Sequence, residues 1–142
     1  MKPHPLLLTG IIVIAAGPAA AAGPHVAGLV RSQEPGWPQW RGPFRDGISD
    51  EEGLLQSWPA EGPKRLWVAG NMGRGYSSPV ISEGRIYITG DVGGELVIIA
   101  LDPAGKIIWK TTNGTSWTKN FKGARACCLY RAGRLYHMNA HG

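Results

Sequence analysis

The sequence has few of the features that define a fold directly. It contains two cysteines, which are neighbours at positions Cys127 and Cys128. Adjacent cysteines cannot join distant segments of chain, so the fold does not rest on a disulfide framework. The longest mainly apolar run, Leu6 to Ala16, is shorter than the roughly 20 residues of a membrane-spanning helix. An ordinary hydrophobic core must therefore account for the fold.

Acidic residues are absent from the last part of the chain. From Pro103 to Gly142 there is no Asp or Glu, while seven basic residues occur: Lys106, Lys110, Lys119, Lys122, Arg125, Arg131 and Arg134. Their scatter between apolar positions is typical of a solvated face, and an anionic ligand or an acidic partner is the alternative interpretation. The net charge of +5 is mildly basic, so nucleic acid is not expected as a partner.

The N-terminus has the pattern of an export signal. Lys2 precedes the apolar run, and the small residues Ala19 to Ala22 follow it. This pattern predicts a signal peptide over residues 1–22 with cleavage near Ala22; an uncleaved membrane anchor is the alternative. The protein is then expected to be exported, periplasmic or extracellular, and not an integral membrane protein after cleavage. Residues 23–36 are small, polar or proline without periodicity, which favours a flexible leader.

Residues 37–64 are predicted to be a loop segment that covers the edge of a core. The stretch Trp37-Pro38-Gln39-Trp40-Arg41-Gly42-Pro43 places two large aromatics between prolines and glycines, which cannot sustain a helix. A short helical turn is predicted from Ser49 to Gln56, because Ser49 precedes two glutamates in the manner of an N-cap.

Beyond residue 64 the chain consists of short β-type runs separated by turn residues. Strands are predicted at residues 65–69, 79–82, 85–89, 95–101 and 106–111. Glu83-Gly84, Gly93-Gly94 and Asp102-Pro103-Ala104-Gly105 supply the turns. Four strands in about 45 residues, joined by tight turns, predict an antiparallel meander.

An internal repeat extends this interpretation. Residues 77–87 match residues 126–136 at a constant shift of 49, most closely where Gly84-Arg85-Ile86-Tyr87 corresponds to Gly133-Arg134-Leu135-Tyr136. Four-stranded repeats of this length are typical of β-propeller blades. The sequence therefore predicts an all-β partial β-propeller over residues 65–142, with one complete four-stranded antiparallel blade and half of a second. Residues 65–69 would be a lone outermost strand of another blade, and the repeat would be incomplete at the C-terminus.

The third predicted turn resembles a known structural motif. Ala100, Asp102, Gly105 and Trp109 resemble the tryptophan-docking motif of pyrroloquinoline-quinone-type (quinoprotein-like) propellers, although the usual Thr before the glycine is missing and the turn is one residue shorter. The resemblance implies that Asp102 and Gly105 fix the turn, that Ala100 leaves room, and that Trp109 docks against the next blade.

The opening of the folded part extends the resemblance. Residues 37–43, Arg45-Asp46-Gly47 and Ser77-Ser78-Pro79 resemble the start of exported bacterial proteins with quinone-binding-like propeller repeats. Such propellers serve quite different roles, so fold alone does not give function. We expect a rigid scaffold for a protein or cell-envelope partner, with no catalytic residues in this chain. The alternative is a quinone-dependent alcohol or sugar dehydrogenase whose active site needs blades outside this sequence.

The adjacent cysteines are the weak candidates for cofactor binding. Dehydrogenases that this fold resembles place a vicinal disulfide against pyrroloquinoline quinone, which is held with calcium; the resemblance would give Cys127 and Cys128 that role. The other interpretation is two small residues at the start of an inner strand. The acids Asp46, Asp91 and Asp102 occur singly in turn-like contexts, so no calcium ligand or base is assigned.

Further polar candidates lie near the C-terminus. His137 and His141 are four residues apart, but zinc needs more ligands than this pair. The connection that carries Trp117, Lys119, Phe121, Lys122 and Arg125 is interpreted as packing between repeats, with a ligand funnel as the alternative.

Overall fold

The computed structural model describes residues 36–142. The predicted signal peptide, residues 1–22, and residues 23–35 of the predicted leader lie outside this range. Regular structure in the described part consists of β-strands alone, so the all-β class is confirmed. Within the same residues no apolar helix is long enough to cross a bilayer.

Four strands form one antiparallel meander in chain order. They are β1 (Val80–Ser82), β2 (Arg85–Val92), β3 (Glu95–Leu101) and β4 (Ile107–Thr115). A separate two-stranded sheet contains β5 (Leu129–Arg131) and β6 (Arg134–Tyr136). The predicted turns lie between these strands. The backbone thus forms a four-stranded sheet followed by a hairpin.

Two strands are longer than the sequence predicts. β2 continues past Thr89 because Gly90 to Val92 pair with the start of β3. β4 continues past Thr111, and a register irregularity opposite Glu95 and Val97 accommodates Asn113 and Gly114. Residues that favour turns are held in these strands by ladder hydrogen bonds to β3, which is a tertiary effect that local propensity does not report.

Two local predictions are wrong. Residues 65–69 belong to no strand, because no neighbouring strand in the described chain offers a backbone ladder to them. Residues 49–56 form no helix, although the Ser49 Oγ accepts a hydrogen bond from the Glu51 N–H at 3.3 Å. This stretch is exposed throughout, and a helix so short is unstable without an apolar face to bury.

The strand β3 is the centre of the molecule because both of its faces are covered. Leu96, Ile98 and Ala100 face one cluster, which includes residues of the second hairpin. Val97, Ile99 and Leu101 face a second cluster, which Ala69 and Met72 help to cover. A near-continuous apolar strand such as Glu95–Leu101 is the sequence signature of this double burial.

The two hairpins have the same backbone pairing at a shift of 49. In the first, Val80 pairs with Tyr87 and Ser82 with Arg85. In the second, Leu129 pairs with Tyr136 and Arg131 with Arg134. Both turns place two residues at positive φ, Glu83-Gly84 and Ala132-Gly133, as two-residue hairpin turns require. The internal repeat in the sequence therefore corresponds to a repeat of structure.

The N-terminal loop connects the two hairpins. Trp37 exchanges two backbone hydrogen bonds with Ile81 of β1, at 2.7 and 2.9 Å. The next residue, Pro38, is fully buried, and its carbonyl accepts a hydrogen bond from Tyr130 N–H at 2.8 Å. Ile81 and Tyr130 are equivalent positions of the repeat, so this short segment fixes one copy against the other.

Candidate functional site

The main interface in the molecule lies between the first sheet and the second hairpin. The rings of Tyr87 and Tyr130 stack there, with centroids 5.8 Å apart and an interplanar angle of 17°. Val80 and Cys128 are fully buried in the same cluster, and Leu135 packs against it. The cluster is apolar and continuous, so the two repeat copies are joined through a shared core.

Polar contacts fix the position of this interface. The Thr89 hydroxyl donates to the Ala126 carbonyl at 2.9 Å. The backbone N–H of Tyr76 donates to the Ala124 carbonyl at 2.7 Å, and Ala124 N–H donates to the Arg74 carbonyl at 3.1 Å. These bonds form a parallel bridge between Gly75 and Ala124, which are equivalent positions of the repeat. Directional hydrogen bonds therefore set the register of one copy on the other.

Equivalent positions of the two copies are buried on opposite faces. Tyr87 is 3 % exposed, whereas its counterpart Tyr136 is 49 % exposed. Tyr130 is 5 % exposed, whereas its counterpart Ile81 is 44 % exposed. Side chains alternate between the faces of a strand, so the first copy buries one face and the second copy buries the other.

Cys127 and Cys128 lie at this interface immediately before β5, where the sequence placed them. Both are free thiols, Cys127 partly and Cys128 fully buried. Desolvation raises the pKa of Cys127, and desolvation together with the neighbouring Cys127 raises the pKa of Cys128 to about 12. A thiol with a raised pKa is protonated at neutral pH and is a poor nucleophile or metal ligand. Cys128 is part of the buried core, and Cys127 packs against it.

Asp102 and Gly105 form the turn that the sequence predicts. The Asp102 Oδ1 accepts hydrogen bonds from the N–H groups of Ala104 at 3.0 Å and Lys106 at 2.9 Å. Gly105 has a φ of +81°, which a residue with a side chain rarely adopts. This carboxylate is thus occupied by its own turn, which agrees with a backbone-bonding role.

Ala100 lies between two aromatic residues on one face of the sheet. Tyr87 pairs with Ala100, and Ala100 pairs with Trp109 on the next strand. The small Ala100 side chain lets the rings of Tyr87 and Trp109 approach to 6.1 Å. Trp109 is only partly buried and packs against the shared core. The structure brings Ala100 and Trp109 together, while Asp102 and Gly105 lie at the adjacent turn.

Trp67 is a contact residue to which the sequence prediction gave no partner. Its indole N–H donates to the Pro103 carbonyl at 2.9 Å. Its ring lies directly against Gly105, where a Cβ atom would overlap it. The internal repeat gave no signal for this contact, since the shift of 49 places Ser116 at the position equivalent to Trp67. Trp67 therefore anchors residues 65–69 to the turn even though they form no strand.

An open groove lies beside β1. It has a volume of about 920 Å³ and is lined by Trp37, Phe44, Ile48, Glu51, Glu52, Pro79 and Ile81, among others. Apolar side chains share its walls with three acidic residues, Asp50, Glu51 and Glu52. We call it the acidic groove. Its lining suits an apolar ligand with a positive charge.

The connection between the two sheets forms a second polar region. The guanidinium of Arg125 donates to the carbonyls of Asn120 and Phe121, and Trp117 N–H donates to the Asn120 carbonyl at 2.9 Å. Trp117 also packs against His141, with ring centroids 5.5 Å apart. These contacts are internal, which supports packing as their role.

A small cavity of about 190 Å³ adjoins this connection. Asp91, Leu96, Trp117 and Met138 are among its lining residues. Asp91 Oδ1 is buried without a hydrogen-bond partner. The cavity is large enough for a few water molecules, which are the ordinary partners of such an atom.

His137 is held as a neutral ring. Asn113 Nδ2 donates to its Nδ1 at 2.8 Å, so the proton lies on Nε2, which faces the Ala126 carbonyl at 3.2 Å. Burial lowers the pKa of His137 below its ordinary value, and the Ala126 contact partly opposes this. His137 therefore ties β6 to β4 and to the repeat interface.

The residues described here do not fit a calcium-bound quinone. Among residues 36–142 no three His, Cys, Asp or Glu side chains are grouped as metal ligands. Calcium prefers six to eight oxygen ligands, several of them carboxylates. The only adjacent cysteines are partly or fully buried against Tyr130 and Val80. We therefore derive no reaction step through a quinone.

Comparison with known proteins gives no match. No protein-family model matches the chain, and no curated protein or solved structure is similar to it.

Proposed function

We propose that this chain is an exported propeller-type repeat protein that acts as a rigid binding scaffold. The observation that carries the proposal is the repeated hairpin, in which all three residue pairs of β1 and β2 recur in β5 and β6 at a shift of 49. A module that recurs with its register intact is a unit of stacking, because each copy offers a face that its neighbour covers.

The contact of Trp67 with Gly105 also supports the propeller architecture. A tryptophan from a segment outside the sheet packs on the β3–β4 turn and donates to its backbone. Trp109, on β4 of the same sheet, packs against the shared core. Anchoring of this kind stiffens the sheet against the preceding segment of chain, and stiffness is what a scaffold requires.

The acidic groove is the surface that we assign to binding. It lies at the first copy, beside the apolar residues Ile48, Pro79 and Ile81, and its glutamates provide a charge. Binding surfaces commonly combine an apolar centre with a few polar groups. The occupant that fits is an apolar side chain accompanied by basic residues.

Site-specific photocrosslinking in cells tests this assignment. A crosslinking residue at Ile48, which lines the groove, is expected to yield one defined protein adduct. The matched control is the same residue at Ile108, which lies on β4 and is 48 % exposed, and it is expected to yield none. Equal adducts at both positions would show that the groove is not a binding surface.

A second measurement separates a scaffold from a quinone-dependent dehydrogenase. The full-length gene product is mixed with pyrroloquinoline quinone and calcium, and dye reduction is followed with simple alcohols or glucose. A scaffold leaves the dye oxidised and the quinone spectrum unchanged. Quinone-dependent turnover would replace the scaffold proposal with the enzyme.

A further inference from the structure

We infer that two copies of this chain associate head to tail, with the open face of one second hairpin in the acidic groove of the other. The inference uses the repeat on which the proposed function also rests. Within one chain, the second copy covers the first through Tyr87 and Tyr130. Each chain then exposes the two faces that this internal contact leaves uncovered.

The first surface is the Tyr136 face, defined by the half-buried Leu129 and the exposed Arg131, Arg134 and Tyr136. These residues share one side of the hairpin, because Leu129 pairs with Tyr136 and Arg131 with Arg134. The equivalent positions Val80, Ser82 and Tyr87 of the first copy are buried. The Tyr136 face is therefore a copy of a surface that this chain already covers with protein.

The second exposed surface belongs to the first copy and corresponds to the face with which the second copy covers the first sheet. Inside the chain, Cys128 and Tyr130 pack on the first sheet. Their equivalents in the first copy are Pro79 and Ile81, and both are exposed and line the acidic groove. The internal interface is thus a template for a contact between Tyr136 of one chain and Ile81 of another.

The opposite charges of the two exposed surfaces favour a second copy of the chain as the partner. Arg131 and Arg134 stand directly opposite each other across the hairpin, and like charges in this position destabilise a hairpin. Residues 103–142 contain no acidic side chain that would compensate them. The groove carries Glu51 and Glu52 beside Ile81. A second copy would bring these glutamates to the arginine pair while it buries Tyr136.

A contact between two different surfaces permits a mixing experiment. Tyr136→Glu places a negative charge where the groove glutamates repel it, and Ile81→Lys places a positive charge where the arginines repel it. Each variant keeps the surface that the other has lost. The full chain, with residues 1–35 common to all variants, is examined by size-exclusion chromatography with light scattering.

The wild-type chain is expected to increase in mass with concentration, and each single variant to associate at least about tenfold more weakly. An equimolar mixture of the two variants should form a dimer and no larger species. Ile108→Glu, a charged substitution at an equally exposed strand position, should behave as the wild type. A wild-type chain that stays monomeric, or a mixture that fails to recover the dimer, would overturn the inference.

Failure here is distinguishable from failure of the proposed function. Nuclear Overhauser effects between Tyr130 and Leu135, which pair across the second hairpin and are unchanged in both monomeric variants, report whether this hairpin keeps its register. Intact hairpins without association would remove only the head-to-tail contact. Loss of the hairpin register in the wild-type chain would remove the repeat, and with it the basis of both proposals.

Discussion

The hairpins β1–β2 and β5–β6 are the same local structure in two different surroundings. Their registers and turn conformations agree residue by residue. The first continues into a four-stranded sheet and buries Val80 and Tyr87, while the second has only two strands and exposes Tyr136. Local sequence therefore determines the hairpin, and the neighbouring elements determine which of its faces is buried.

The two hairpins should therefore contribute differently to the free energy of unfolding. The side chains of the first hairpin contribute by burial of apolar area, whereas those of the second contribute mainly through Tyr130 and its neighbours. A substitution at equivalent positions should thus have unequal effects. Paired variants test whether the two copies differ only in their surroundings.

The largest difference is expected between Tyr87→Ala and Tyr136→Ala. Removal of the buried Tyr87 ring leaves a cavity beneath Tyr130 and Trp109, so the free energy of unfolding should fall by about 3–5 kcal/mol. Removal of the exposed Tyr136 ring should lower it by only about 0.5 kcal/mol. Urea denaturation of both variants at low protein concentration measures the two changes. Similar losses would show that the second hairpin is as well covered as the first.

A smaller difference is expected between two glycines with nearly the same backbone angle. Gly105 and Gly133 have φ values of +81° and +73°, so alanine is strained at both. Only at Gly105 would the new Cβ also overlap the Trp67 ring, since nothing lies within 4 Å at Gly133. Gly133→Ala should lower the free energy of unfolding by about 1 kcal/mol, and Gly105→Ala by about 2–3 kcal/mol in total.

The indole N–H resonance of Trp67 provides the control for this pair. It should shift in Gly105→Ala, where the hydrogen bond to the Pro103 carbonyl is displaced, and stay unchanged in Gly133→Ala. An unchanged Trp67 resonance in both variants would argue against its contact with the turn.

The fold could be predicted from the sequence wherever local signals and tertiary contacts agree. The β3 range, the turns and the repeat register follow from an apolar run, glycines at positive φ and a constant shift. The ends of β2 and β4 could not be predicted, because pairing with β3 overrides the turn preference of Gly90 and Gly114. Residues 65–69 have a strand-like sequence and no partner strand in the described chain.

The candidate site, like the fold, could be predicted from the sequence only in part. The position of Cys127 and Cys128 before β5 follows from their alignment with Ser78 and Pro79. Their burial does not, because it depends on how the second hairpin packs on the first sheet. The acidic groove was missed for a similar reason: its walls come from the loop and from β1, which lie about 30 residues apart in the sequence.

The smallest expected effect is a pH dependence of the free energy of unfolding. It distinguishes the two hairpins because, in the described chain, the contacts of His137 with Asn113 and Ala126 hold only the second one. Protonation of Nδ1 would turn the acceptor of the Asn113 bond into a donor. The pKa of His137 is lowered by burial, so the unfolded chain binds protons more readily than the folded one. The contribution of neutral His137 to stability is therefore complete above the ordinary histidine pKa of 6.5, and it is lost as the pH falls through the lower pKa of the folded state.

The loss should be about 1 kcal/mol, the net contribution of one hydrogen bond. His137→Gln provides an amide that does not titrate, so the acid-induced loss attributable to this position should disappear. Denaturation midpoints of both proteins across this pH range, with the ring titration of His137 followed by nuclear magnetic resonance, measure the effect. A ring that titrates at or above 6.5 in the folded chain would contradict it, since the second hairpin would then gain stability on protonation instead of losing it.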